Sequence, residues 1–323
     1  MIMSISAGTY TIGPGYDYTS IRAFASDIAA NLTGDLTGVV KASHTEYNTA
    51  YFNARIVHQY TLLIDNAITR TNHQQDNTIT FDSSTIPFQG IYLRQDADAT
   101  SLGRIIVRNQ HFKRINGTFP LRGQDADIYC TQNTYPFRAE IYNNVFEDQT
   151  GSWYAIWTHG DATGGNTNIY NNIFFGEHRI GMVNQNFGRH DCTVTNNLIC
   201  GFGAYSQYGT AYGKSMTRYV NNYLCNHTAN ELSVTDSTCI CNVGENVNGG
   251  TPLVGPNYRI PDTVALITSD WSSSRFGIPN PQGGLCFKGI TPGHTQYLNG
   301  LPIIPGEVTI GALSEPKQTM FNT

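Results

Sequence analysis

The chain has 323 residues, 13 % charged and 40 % hydrophobic, with a net charge of -5, 32 glycines and 19 tyrosines. That length holds one large β domain or two ordinary ones, and so apolar a chain is not a disordered one. Without a Lys/Arg run there is no face for nucleic acid, and no apolar stretch reaches the ~18 residues that cross a bilayer.

The opening "MIMSISAGTYTIGPG" shows no basic stretch followed by an apolar core, so no secretory leader is expected. Next, "TSIRAFASDIAANL" places Ile21, Phe24, Ala25, Ile28 and Leu32 at helical spacing behind Thr19 or Ser20 as cap. Strand-like "GVVKASH" follows. Then a motif recurs: "EIYNNVFED", "NIYNNIFFG", "TVTNNLICG" and "RYVNNYLCN". The second asparagine of each pair is Asn144, Asn172, Asn197 and Asn222, giving intervals of 28, 25 and 25 residues. Weaker copies surround Asp65-Asn66, Asp82-Ser83, Asn109-Gln110 and Asn242.

A fixed period in the twenties marks a solenoid. Asparagine tolerates the left-handed backbone that a tight bend between strands requires. Coils stacked at the ~4.8 Å strand spacing bring successive asparagines together, so their amides can form a ladder. Hairpin turns would favour Asn-Gly, which none of the four strong copies has. Beyond residue 250 the rhythm stops and nine of the thirteen prolines appear, which predicts irregular packing over an end or a side of the solenoid. An open solenoid end exposes apolar interior, so the N-terminal helix is expected to cover it.

The seven cysteines lack metal-site spacing, and small buried side chains are the expected role. Cys200 and Cys225 occupy the same offset after successive Asn pairs.

The opening "YTIGPGYDYTSIRAFASDI", the Asn-Asn coils and the closing "PLVGPNYRIPD…GEVTIGAL" resemble the right-handed parallel β-helix proteins of the pectin-lyase-like superfamily. The resemblance covers nearly the whole chain. It implies an all-β, single right-handed parallel β-helix (solenoid) with an N-terminal capping helix and an irregular Pro-rich C-terminal cap. The expected division is 1–37 for the N-terminal segment and helix, 38–250 for the coils and 251–323 for the C-terminal region, one domain overall. Proteins of this type include polysaccharide lyases, polygalacturonase-type hydrolases, and phage tailspikes with related capsid-decorating proteins. The Asn-Thr-Asp, paired-Asp, Gly-His-Gly and Arg-Ile-Lys segments of the hydrolases are not found, nor is a calcium-binding acidic cluster.

The strands and turns preceding the Asn corners hold the candidate chemistry. Trp153, Tyr154, Trp157, Asn184, Gln185, Tyr205 and Tyr208 form the expected carbohydrate-binding set, since a sugar needs flat apolar faces beside hydrogen-bonding amides. Asp161 and Asp191 form the candidate acid pair, with Glu177 as substitute and His159 or Lys214 as base. The competing reading is that these aromatics pack between coils or subunits while the acids and histidines cap turns. The expected function is a virion structural protein: a tailspike-like β-helix serving as head-decoration (cement) or fibre protein, homotrimeric, partnered by capsid or tail proteins. The alternative is a polysaccharide lyase or glycoside hydrolase, secreted or on a spike, and a third reading is a non-catalytic carbohydrate-binding module. No cofactor or metal is implied.

Overall fold

The computed structural model describes residues 5–29, 32–52, 60–70, 72–74, 77–82, 84, 89–94, 103–116, 126–132, 137–148, 154–160, 165–176, 180–186, 191–200, 204–205, 217–225, 232–233, 238–240, 243–244, 258–259, 266–267, 271–280, 289, 292–305 and 307–314. These form a parallel β-helix. Three sheets of nine, seven and nine strands run the length of the molecule, and every ladder between named strands is parallel.

Each coil gives one strand to each sheet in turn. The first coil is Leu36–Val40, His44–Glu46 and Ala50–Phe52, and the second is Thr61–Asn66, Thr78–Asp82 and Gln89–Arg94. The third is Arg104–Arg108, His111–Ile115 and Ala126–Gln132, and the fourth is Arg138–Tyr142, Val145–Asp148 and Tyr154–Gly160. The fifth is Asn166–Tyr170, Ile173–Gly176 and Ile180–Asn186, and the sixth is Asp191–Thr195, Leu198–Cys200 and Ala204–Tyr205. Thr217–Val220, Tyr223–Cys225 and Leu232–Ser233 make the seventh, and Thr238–Ile240 and Val243–Gly244 begin the eighth. The first strand of each coil lies in sheet 1, the second in sheet 2 and the third in sheet 3.

Alternation along each strand fills the interior. In sheet 2, Phe81, Phe112, Phe146 and Phe174 stack at 5.7, 5.2 and 4.9 Å between ring centroids. All four are buried, as are Ile105, Ala139, Thr167 and Cys192 in sheet 1. Identical positions on successive coils thus meet like with like, and dispersion rather than directional bonding holds the interior. Arg114 and Asp127 form a buried ion pair: Arg114 Nε donates to Asp127 Oδ1 at 2.7 Å, both groups sealed from water.

The corner between sheets 1 and 2 divides its work between the two asparagines. The first of each pair, Asn143, Asn171, Asn196 and Asn221, takes the left-handed conformation with φ of 53–55°. The second supplies the ladder. Asn172 Oδ1 accepts from both N and Nδ2 of Asn144, Asn197 Oδ1 from those of Asn172, and Asn222 Oδ1 from those of Asn197, all at 2.9–3.1 Å. Each Nδ2 also reaches a carbonyl of the preceding coil, Asn144 to Val107, Asn172 to Ile141, Asn197 to Ile169 and Asn222 to Val194. In the middle of the column both lone pairs and both N–H bonds of the amide are used, which is what a fully buried amide requires.

Asn109-Gln110 belongs to the same series, with Asn109 at φ 59° and Gln110 N donating to Asn144 Oδ1. Asp65-Asn66 also stands at this corner, but its pair is split. Asn66 and Asn77 exchange side-chain bonds across the inserted segment between them, and Asn77 (φ 63°) carries the left-handed turn. Asp82-Ser83 is corrected: Asp82 ends a strand of sheet 2 and lies at the following corner, where Asn116 Nδ2 donates to it. Asn242 lies outside the described residues.

The N-terminal end is closed by the helix Ile21–Asp27, whose cap is Ser20, accepting from Ala23 N at 3.1 Å. Glu46 of the first coil adds a carboxylate to the same helix terminus, accepting from Ile21 N and Arg22 N. The helix is shorter than its apolar spacing predicts because Ile28 leaves it to pair with Ile5. A strand missing from the sequence reading, Gly8–Ile12, lies beside Leu36–Val40 and starts sheet 1 ahead of the first coil. Gly38 makes the closure possible: a Cβ there would meet Phe24 of the helix at 2.8 Å.

The described part of the Pro-rich region runs along the side of the stack. Leu266, Phe276, Leu298, Ile310, Ala312 and Leu313 pack on Val145, Ile173, Leu198 and Tyr223, the outer row of sheet 2. Asn171 and Asn196 direct their amides outward to Gln296 O and Thr309 O, and Gly311 N donates to Asn221 O at 2.9 Å. Gly277, at φ 73°, passes so close that a Cβ would stand 2.2 Å from Leu198. Among the cysteines, Cys130 and Cys192 are buried free thiols, as expected. Cys200 departs from that expectation, being disulfide-bonded. Its register neighbour on the next coil is Cys225.

Asn172→Ala removes an amide with four buried partners and is expected to cost about 3 kcal/mol or more. Asn143→Gly, which keeps the left-handed turn, stays within about 1 kcal/mol. Urea unfolding followed by circular dichroism separates the two: a similar midpoint shift for both would deny the division of labour.

Candidate functional site

The sequence-predicted groove maps to sheet 3. Tyr51, Tyr92, Tyr129, Trp157, Val183 and Tyr205 occupy one register row across six coils. Beside it runs a polar row of Arg94, Thr131, His159 and Gln185. Of the predicted carbohydrate set, Trp157 and Tyr205 therefore share one row and Gln185 stands in the adjacent one. Asn184 falls at the opposite parity, aligned with the buried Thr158. Tyr154 opens its strand, aligned with Ala126 and Ile180.

The aromatic row is packed rather than laid open. Tyr51–Tyr92, Tyr92–Tyr129 and Tyr129–Trp157 are 5.4, 5.1 and 5.4 Å apart, inclined at 48–70°. Trp157 is 4 % exposed and Tyr129 7 %, whereas Tyr51 at the N-terminal end is 53 % exposed. Burial, with Tyr92 alongside, pushes the Tyr129 phenol up to about 12. Trp157 thus packs between coils, and its face is not a free platform.

Of the candidate acids, Asp191 opens a strand of sheet 1, aligned with Asn166. Asp161, Trp153, Glu177, Tyr208 and Lys214 lie outside the described residues. Only the backbone is described for Tyr154, His159, Asn184, Gln185, Asp191 and Tyr205.

Several carboxylates on the described surface are held by bases. Arg108 binds Asp65, and Arg104 binds Glu140 through Nε at 2.9 Å and Nη2 at 2.6 Å. Glu147 accepts from His111 Nε2 and Lys113 Nζ, both at 3.1 Å. Burial opposes its charge, but those two donors outweigh it and hold the carboxyl down at about 2. Above this cluster the inserted segment meets the C-terminal strap. His73 bonds Trp271 O at 2.6 Å and lies against the Trp271 ring at 4.3 Å, inclined at 49°. Phe175 lies flat on the same indole at 3.9 Å.

Sequence reasoning missed a second surface. On the outer face of sheet 1 the strap forms a cleft of about 510 Å³, lined by Arg104, Glu140, Asn168, Tyr170, Thr193, Thr195 and the segment Gly293–Thr295. Tyr170 is sandwiched, with Tyr142 at 4.6 Å on one face and His294 at 4.5 Å on the other. Burial forces the His294 imidazole down to about 4 and raises the Tyr170 phenol far above its ordinary value, so both are neutral at physiological pH.

The His294 shift fixes a pH dependence. Its folded pKa, about 4, lies below the ordinary 6.5, so the unfolded chain takes up the proton first. Stability therefore falls as pH drops from 6.5 towards 4, by up to about 3 kcal/mol, and the loss levels off below that. His294→Phe keeps the stack on Tyr170 and is expected to flatten this part of the profile in thermal melts; an unchanged slope would place the imidazole in water. In comparison with known proteins, no family model and no curated protein matches the chain.

Proposed function

We propose that this chain is a structural β-helix of the tailspike-like kind, a homotrimeric head-decoration or fibre protein of a virion. The observation that carries the reading is where the chemistry-bearing groups are used. Trp157, a member of the predicted groove, and its register neighbour Tyr129 are buried between coils. Asp65, Glu140, Glu147 and Asp127 each bind a base. A glycosidase or lyase needs a carboxylate or base free to exchange a proton at the substrate. A rod that must hold its shape instead spends these groups on internal order.

The disulfide at Cys200 supports a protein that works outside a reducing compartment, as a particle surface does. The strap along sheet 2 adds to the same reading, because it covers a sheet face that would otherwise be apolar and open. Among the described residues, Tyr16, Tyr47, Tyr51 and Ile304, each 46–56 % exposed, are the large apolar side chains left to meet a partner subunit or capsid.

Light scattering on the purified protein, followed by incubation with a polysaccharide panel, tests the proposal. The expected result is a stable trimer that binds capsids and releases no oligosaccharide. A monomer that cleaves a polysaccharide, and stops doing so as Asp161→Asn or Asp191→Asn, would establish the enzyme reading instead.

A further inference from the structure

The cleft on sheet 1 holds polar groups that the fold leaves unused. In the Asn column the mid-column amides are saturated, and several surface carboxylates are ion-paired. In the cleft the Asn168 amide and the Thr193 hydroxyl, half-buried neighbours in one register row, have no hydrogen-bond partner in the protein. His294 Nε2, on the opposite wall, is shielded from solvent and equally without a partner. Glu140 stands next to Asn168 in the same row, and Arg104 takes its Oε1 through both nitrogens, leaving Oε2 for another donor.

We propose that this cleft is a binding site for a neutral sugar, one or two residues long, held edge-on between sheet 1 and the strap. The chemistry narrows the class. Among the described side chains, an anion would face only the Arg104 guanidinium, already neutralised by Glu140. A divalent cation would find one carboxylate. An apolar ligand would leave the amide and the hydroxyl unsatisfied. A hydroxyl donates and accepts at once, and here a carboxylate, an amide and a hydroxyl follow one another along the row at the ~4.8 Å spacing of the strands. A volume of about 510 Å³ lies in the range of small-molecule sites. Both Tyr170 faces are occupied, so the ring presents its edge and hydroxyl, and recognition is through hydrogen bonds rather than stacking. The site lies on a different sheet from the predicted groove and does not rest on the virion reading.

The test is titration of the full chain with glucose, galactose, mannose, rhamnose and N-acetylglucosamine by saturation-transfer NMR and calorimetry, with glucuronate as the charged comparator. At least one neutral sugar should bind with a Kd of about 1 mM or tighter, and glucuronate more weakly. Asn168→Leu and Thr193→Val should each weaken binding about tenfold or more, because each leaves a sugar hydroxyl unpaired. Tyr51→Ala on sheet 3 should leave it unchanged. Thr193→Val keeps the shape and strand preference of the side chain, so it reads the site even if Asn168→Leu fails to fold. No saturable binding of any of the five sugars, or binding that persists in folded Thr193→Val at wild-type strength, would overturn the proposal.

Discussion

A column of buried amides is the constraint from which the rest of this structure follows. Turning a chain sharply between two sheets leaves backbone and side-chain polar groups inside the bend, away from water, where each unmet donor or acceptor costs about 1–3 kcal/mol. Asn144, Asn172 and Asn197 meet that demand by bonding to the same residue of the next coil. The solution works only if coils stack in register, so the corner dictates parallel strands. It also places like above like, and the phenylalanine stack of sheet 2 is a consequence of that alignment.

The left-handed asparagines link the interior to the exterior. Their backbone conformation serves the bend, while the amides of Asn171 and Asn196 face outward and hold the C-terminal strap. One dipeptide therefore organises two interfaces. The strap covers the outer row of sheet 2 and its edge forms one wall of the cleft on sheet 1. A solenoid is quasi-one-dimensional, each coil bonding only to its neighbours. A segment bonded to several coils at once ties them into a more cooperative unit.

The period, the corner and the capping helix were legible because each is a local pattern: Asn pairs at fixed intervals, apolar residues at helical spacing, Ser20 ahead of them. The two roles within a pair were also written in the sequence, though less plainly. Asn109-Gln110 keeps asparagine where the backbone is left-handed and changes the second residue, which meets the column through its backbone N–H. The position of the strap had a signal that went unused. Val145-Phe146, Ile173-Phe174 and Leu198-Ile199 are apolar at consecutive strand positions, and a strand apolar on both parities is covered on both faces. What covers it could not be read, since docking between residues 171 and 296 follows no period. Asp82-Ser83 misled because both corners of a coil favour the same polar residues. The predicted groove was partly legible. Register rows follow from strand parity, but the burial of Trp157 depends on its neighbours in three dimensions.

Native-state hydrogen exchange resolved to individual residues is the most direct test of the amide column. The backbone N–H groups of Asn144, Asn172 and Asn197 each donate to a buried side chain of the next coil. They should exchange as slowly as the central strands on either side and open with the same free energy as those strands. Exchange at rates close to those of free peptide, while the flanking strands stay protected, would show that the bends are hydrated turns and that the coils are held together by something other than their corners.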